Sequence, residues 1–308
     1  MPSFDFIIIG GGTAGCVLGN RLSENAVIRV LLLEAGPDNN DDHLVRTPLT
    51  SRRMFKDPKY DWGYETVPQQ GLEGRVIQHT RGRMLGGSSA INSHSLLFPN
   101  QAMHNAWAEL VGDVSWAWPE MKDWYDKFHA VQDGNSVLPE AEGRIAASFP
   151  KKMDALQQAW EDVFESLGAK PVEAATLGRT LGGFTTTNAI DGRPGKGERS
   201  HSGNTYLKPV LHRKNLVVKT GALVQRVMLE KTDAAELRAT SVMYEHNGTA
   251  KTADASKEVI LCAGAFGSPQ VLELSGIGLQ VVLEKFGIDC LIDLPGVGGR
   301  RYPYSEPE

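Results

Sequence analysis

Residues 4–22 read "FDFIIIGGGTAGCVLGNRL", an apolar run followed at once by a glycine-rich turn. The run is nearly continuous and contains Ile7, Ile8 and Ile9, the composition of a strand buried on both faces of a parallel sheet. Gly10, Gly12 and Gly15 follow in G-x-G-x-x-G register, and "TAGCVLGNRL" predicts a helix with Ala14, Val17, Leu18 and Leu22 along one face. A second apolar segment, "VIRVLLLEAG", leads to Glu34, 19 positions beyond Gly15. Each part has a mechanical reason. Gly10 permits a tight turn, Gly12 lets backbone approach a pyrophosphate, Gly15 lets helix and strand pack closely, and the helix start offers free N–H groups to the anion. Glu34 is placed to accept hydrogen bonds from ribose hydroxyls, and as an acid it disfavours a 2′-phosphate. The order strand, glycine loop, helix, strand, acid predicts an α/β, Rossmann-like dinucleotide domain, and it serves NAD and FAD alike.

The bulk of the chain agrees with a globular reading. Its 308 residues are 41% hydrophobic and 22% charged, and the net charge is -5. That balance, with no Lys/Arg cluster, argues against nucleic acid as a partner. No apolar run approaches the roughly 18 residues of a membrane span, and the N-terminus shows no secretory signal, so a cytoplasmic setting is expected. Cys16, Cys262 and Cys290 lack metal-ligand spacing and are expected to be small buried hydrophobes, with no metal site. Asn247-Gly248-Thr249 matches a glycosylation acceptor but is expected to be a surface turn.

A second glycine-rich loop, "GRMLGGSSAIN" (residues 82–92), is not required by a nicotinamide enzyme. Gly86 and Gly87 remove side chains where backbone could approach a ring or phosphate. Ser88, Ser89 and Asn92 supply donors and acceptors, and Arg81 and Arg83 add positive charge. Together with its surroundings, "TRGRMLGGSSAIN" closely resembles the flavin-contacting motif of the glucose-methanol-choline (GMC) oxidoreductases. "GGGTAGCVLGNRLSE", "LLLEAGPD", "YDWGYETVPQ", "WAELVGDVSWAWPEMKDWYDKFHAV" and "GAFGSPQVLELSGIG" resemble further segments of that family in the right order, from about residue 4 to residue 298. The likeness is nearest to the aryl-alcohol and choline branch.

The resemblance implies a GMC-type FAD-binding domain in which Thr13 and Ala14 meet the pyrophosphate and Glu34 and Ala35 flank the ribose. It implies that Gly86, Gly87, Ser88 and Ser89, then Asn92, Ser93, His94 and Ser95, run along the flavin. Val224 matches a residue whose backbone pairs with adenine, and Ala263 and Gly264 close the pocket. A histidine stands at the Ile91 position in members with covalently attached flavin, so non-covalent FAD is expected here. His94 and His201 are expected to be structural, with His94 facing solvent or bonded to backbone.

The implied organisation is a discontinuous FAD-binding domain, residues 1–100 and 212–298, around a partial substrate-side α+β domain, 101–211. "NLVVKTGALVQRVML" and "ATSVMYEHNG" are expected to form a hairpin-like excursion, "PKKMDALQQAWEDVFESLGAK" an amphipathic helix ended by Gly168, and "IDGRPGKGERSHSG" a flexible connector. The implied reaction is oxidation of a small-molecule alcohol, with hydride passing to flavin and then to oxygen or another acceptor, and specialised metabolism is the expected setting. The family's base, a histidine with a His or Asn neighbour, belongs to a portion following "LPGVG". Here "GRRYPYSEPE" follows, so no catalytic residue is expected among the eight histidines. Residues 299–308 are expected to be a disordered tail, and a partner chain is expected over exposed sheet edges. Two alternatives stay open: a flavin-binding remnant or interaction subunit without turnover, and a cyanohydrin lyase with structural FAD.

Overall fold

The computed structural model describes residues 3–132, 145–151, 155–169, 178–180, 182–231 and 236–299. The expected tail lies, from residue 300 onward, outside the described residues. The central sheet uses β1 (Ser3–Ile9), β2 (Val30–Leu33), β3 (Leu216–Lys219), β4 (Ala222–Lys231), β5 (Leu237–His246) and β6 (Thr249–Leu261), in spatial order β3-β2-β1-β6-β5-β4. β3, β2, β1 and β6 are parallel, while β5 and β4 extend the sheet antiparallel. β6 joins the two halves. Its first part pairs with β5 and its last part with β1, and Asp254 faces both Ser241 and Ser3.

Strand alternation sends neighbouring residues to opposite faces, and both faces of the parallel half are covered. Ile7, Ile9, Leu31 and Leu33 join Val224, Val242 and Val271 on one side; Ile8, Val30 and Leu32 join Cys16, Leu85 and Leu207 on the other. Helix α1 (Thr13–Leu22) packs on this second face, but not by the stripe expected from its sequence. Its buried residues are Gly15, Cys16, Gly19 and Asn20, with Leu18 and Leu22 only partly covered and Ala14 exposed. Small residues are needed because the helix lies so close to the sheet: a Cβ on Gly19 would stand 3.1 Å from Leu32 Cδ1.

The β-rich return corrects another expectation. Leu216–Lys219 is not one arm of a hairpin; it pairs parallel with β2 inside the central sheet, and the antiparallel excursion begins only at Ala222. The hairpin between β5 and β6 turns at Asn247 (φ 54) and Gly248 (φ 69), the two left-handed residues that a tight hairpin turn requires, so this is the turn its sequence predicts. Of the cysteines only Cys16 is buried; Cys262 and Cys290 are half-buried, contrary to expectation.

The intervening segment carries α2 (Gln101–Val111), α3 (Trp118–Phe128) and α4 (Ala155–Ser166), beside a small sheet that includes Ile145–Ser148 and His129–Gln132. α4 stops as expected, at Gly168 (φ 80), where Ala169 N–H donates to Phe164 O at 2.9 Å. The connector is not the flexible loop its composition suggests. Glu198–Arg199 pairs with Ile190–Asp191, and Arg199, Ser200, His201 and Ser202 are all buried. Its turn-forming glycines, Gly195 and Gly197, are confined to the hairpin tip, and the residues after them are captured by polar partners.

Candidate functional site

The carboxyl ends of β1, β2 and β6 open on a cavity of ≈ 450 Å³, the place where open α/β sheets take their ligands. Gly10, Gly12, Thr13 and Ala14 line it from the first loop, Glu34 and Ala35 from the end of β2, and Gly87 and Ser88 from the second loop. Ala222 to Val224 and Ala263 to Ser268 complete it. Two helices begin at this wall. α1 starts at Gly12 and α5 (Gly264–Leu274) at Ala263; neither has a side-chain cap or an acidic residue in its first turn. Their first-turn N–H groups and positive dipole ends favour an anionic ligand group.

Glu34 closes the end of the first loop. Its Oε2 accepts from Gly11 N–H at 2.7 Å and its Oε1 from Gly36 N–H at 2.8 Å. Burial pushes its carboxyl up to about 7, against the lowering effect of these backbone donors and of the Arg83 charge. A carboxylate has about four acceptor positions, so Glu34 retains capacity for ribose hydroxyls. Gly11 is a partner that the spacing of Gly10, Gly12 and Gly15 does not single out.

The two glycine loops touch. Gly86 N–H donates to Gly11 O at 2.8 Å, and at Gly87 (φ 50) a Cβ would stand 2.7 Å from Gly12 Cα. Gly87–Ala90 forms a short 3₁₀ turn, stapled by Ser89 Oγ donating to Gly86 O at 2.6 Å and by Gly82 N–H donating to Ser88 Oγ at 3.3 Å. At the mouth, Trp62 stacks on Tyr64 (5.8 Å), Tyr64 meets Phe266 (5.2 Å), and the guanidiniums of Arg83 and Arg81 lie over Trp62 and Phe266. Trp62 and Tyr64 belong to "YDWGYETVPQ"; the contact with Phe266 joins segments far apart in the chain and has no local signal.

Eleven of the predicted binding residues line the cavity: Gly10, Gly12, Thr13, Ala14, Glu34, Ala35, Gly87, Ser88, Val224, Ala263 and Gly264. Gly15, Gly86, Ser89 and Arg83 stand behind it. A Cβ on Gly15 would overlap Gly10 O, and Arg83 donates to Pro58 O at 3.2 Å. Asn92, Ser93, His94 and Ser95 do not line it. The chain turns away at His94, a left-handed residue (φ 71), and Ser95–Leu96 pairs with Thr187–Asn188. Of the two expected settings for His94 the structure has the second: its ring is buried and bonded to the Ser93 backbone, while Nε2 has no partner among the described residues. His201 is also buried, with neither ring nitrogen bonded among the described residues. Burial, then the charge of Arg199, pushes His94 down to about 4 and His201 down to about 3, so both are neutral. Nothing local in the sequence marks Arg199, because its partners are 107 to 154 positions away.

The family model for GMC oxidoreductase matches residues 4–298. The chain is 37% identical to an oxygen-dependent choline dehydrogenase of Staphylococcus saprophyticus over 96% of its own length and 52% of that protein. It is 36% identical to the dehydrogenase citC of Monascus ruber over 98% of its length and 50% of that protein. Among solved structures, pyridoxine 4-oxidase from Mesorbium loti superposes with a TM-score of 0.83 at 31% identity, covering 95% of this chain and 55% of that one. The chain spans about half the length of the curated relatives it matches. The matched model is that of the N-terminal, FAD-binding domain of GMC oxidoreductases.

Proposed function

The chain belongs to the GMC oxidoreductase family, and on that premise we propose that it holds FAD non-covalently and serves the oxidation of a small-molecule alcohol, with oxygen or another acceptor taking the electrons. The carrying observation is the contact between the two glycine loops, which makes one wall out of an anion-binding helix start and a second backbone cradle. The residues present fit FAD. At Gly12 a Cβ would make only ordinary contacts, with Gly87 Cα at 3.8 Å and Cys262 O at 3.9 Å, two uncapped helix starts face the same cavity, and Glu34 stands at the ribose end. Ile91, buried beside the loop, offers no nucleophile for covalent attachment.

In this reading the α1 start and Gly12 bind the pyrophosphate, Glu34 and Ala35 orient the ribose, Ala222 to Val224 hold adenine, and Gly87 and Ser88 support the ring system. FAD supplies the hydride-accepting chemistry. Trp62, Tyr64 and Phe266 set a cluster of aromatic rings at the mouth. Residues 1–100 with 212–298 form the cofactor domain of this proposal and 101–211 the substrate side. The exposed Trp107, Trp116, Trp124 and Trp160 support a covering chain over the substrate side. No helix among the described residues is long and apolar enough to cross a membrane, and a cytoplasmic setting in specialised metabolism is part of the proposal.

One observation favours a second reading, a chain that binds flavin without turning over: the two buried histidines, His94 and His201, stand outside the cavity lining, where neither can act as base. Mixing the FAD-loaded chain with candidate alcohols in the absence of oxygen separates the two. Bleaching of the flavin spectrum is expected for an oxidoreductase; a stable yellow protein supports the second reading, and aldehyde release without bleaching would point to lyase chemistry.

A further inference from the structure

Arg199 is buried yet has no carboxylate partner among the described residues. Its guanidinium is satisfied by neutral acceptors: Nε donates to Val45 O at 3.0 Å, Nη2 to Ser51 Oγ at 2.9 Å, and Nη1 to Asn92 O at 2.9 Å, Asn92 Oδ1 at 3.0 Å and Ser89 O at 3.3 Å. Ser51 Oγ in turn donates to Asn92 O at 3.1 Å, and Asn92 Oδ1 also accepts from His94 N–H at 3.1 Å. The side chain therefore grips the exit of the second glycine loop, directly after Ser88, which lines the cavity. The two histidines that feel its charge, His94 and His201, are held neutral by burial and by that charge, so they neither add to it nor offset it.

A guanidinium taken out of water normally acquires an acid, because carbonyl dipoles offset only part of the desolvation cost. Here the charge is left uncompensated beside a loop that, in the proposed function, supports the flavin ring. We infer that Arg199 is a positioning residue with two roles: it fixes the second glycine loop, and its uncompensated positive charge favours the added negative charge of the reduced cofactor. This rests on the proposal that the cavity holds FAD.

The test compares the wild-type 308-residue chain with Arg199→Met and Arg199→Lys, reading FAD affinity by titration and midpoint potential by dye equilibration. Arg199→Met is expected to weaken FAD binding roughly tenfold or more, as for loss of hydrogen bonds from a charged donor, and to lower the potential. Arg199→Lys keeps the charge but not the fork, so it is expected to weaken binding while leaving the potential near the wild-type value. An unchanged potential in Arg199→Met would overturn the electrostatic role even if affinity falls, and unchanged affinity in both variants would overturn the clamp. If Arg199→Met does not fold, Arg199→Lys decides: weaker binding at a wild-type potential supports the inference, and wild-type affinity or a lowered potential overturns it. Failure of the wild-type chain to bind FAD would instead remove the underlying reading.

Discussion

The first glycine loop is closed by residues close to it in the chain, whereas the second is held by a side chain 107 to 110 positions downstream. In the first, Gly15 lies against Gly10 and Glu34 reaches back to Gly11, all within one strand-helix-strand unit. In the second, the local turn is stapled by Ser89, but its exit is fixed by Arg199 and its entrance by contact with Gly11 and Gly12. A local cradle can be written in a short motif; one assembled from distant segments cannot.

The largest effect is expected at the point where the first loop is tightest. Gly15→Ala would drive a methyl into Gly10 O, and overpacking against backbone costs about 1–3 kcal/mol or more. Gly12→Ala, where there is room, should cost only about 1 kcal/mol as a poorer helix cap. Thermal unfolding of the two variants checks this, and equal losses would show that the two glycines do not differ as the geometry requires. Next comes the contact between the loops. Gly87→Ala places a Cβ 2.7 Å from Gly12 Cα on a left-handed backbone, a strain of about 1–3 kcal/mol. FAD affinity should fall more than stability does, and a variant with wild-type affinity would separate the two loops functionally.

The loops should also respond oppositely to pH. Glu34 has a folded value of about 7, above its ordinary 4.5, so its contribution is present below 4.5 and lost as pH rises through about 7. His94 and His201 have folded values of about 4 and about 3, below the ordinary 6.5, so their contribution is present above 6.5 and lost as pH falls toward those values. Melting temperatures measured from about pH 4 to 8 for wild type and Glu34→Gln test this. The advantage of wild type over the variant should shrink as pH rises from 4.5 to about 7, while both proteins lose stability below 6.5; a pH-independent difference would contradict the Glu34 assignment. The smallest effect is expected at the mouth. Trp62→Ala removes a cation–π contact with Arg83 worth about 0.5–1 kcal/mol, and should hasten FAD release in a stopped-flow exchange experiment with little change in melting temperature.

The legible part of the molecule follows the same division. The parallel strands, the first loop and Glu34 can be read because apolar runs, glycine spacing and an acid at the strand end are local constraints. The buried face of α1 is not the one its apolar residues mark, because close packing favours Gly15, Cys16 and Gly19 over the side of the helix that carries Ala14 and Val17. Leu216–Lys219 has the composition of a hairpin arm because a short β-branched strand carries no mark of its partner. Arg199, His201 and Ser202 have the composition of a solvent-facing connector, since polar residues buried by distant partners look the same locally as exposed ones. At the second loop the glycines and serines are visible, but the departure of Asn92 to Ser95 from the cavity depends on the left-handed His94 and on pairing with Thr187–Asn188.

If the two loops form one FAD site, equilibrium titration of the purified chain with FAD will show it. Saturation is expected at one FAD per chain, with the flavin released into the supernatant on acid precipitation. A chain that melts cooperatively yet binds no FAD, and cannot be reconstituted with it, would show that the two loops do not form such a site.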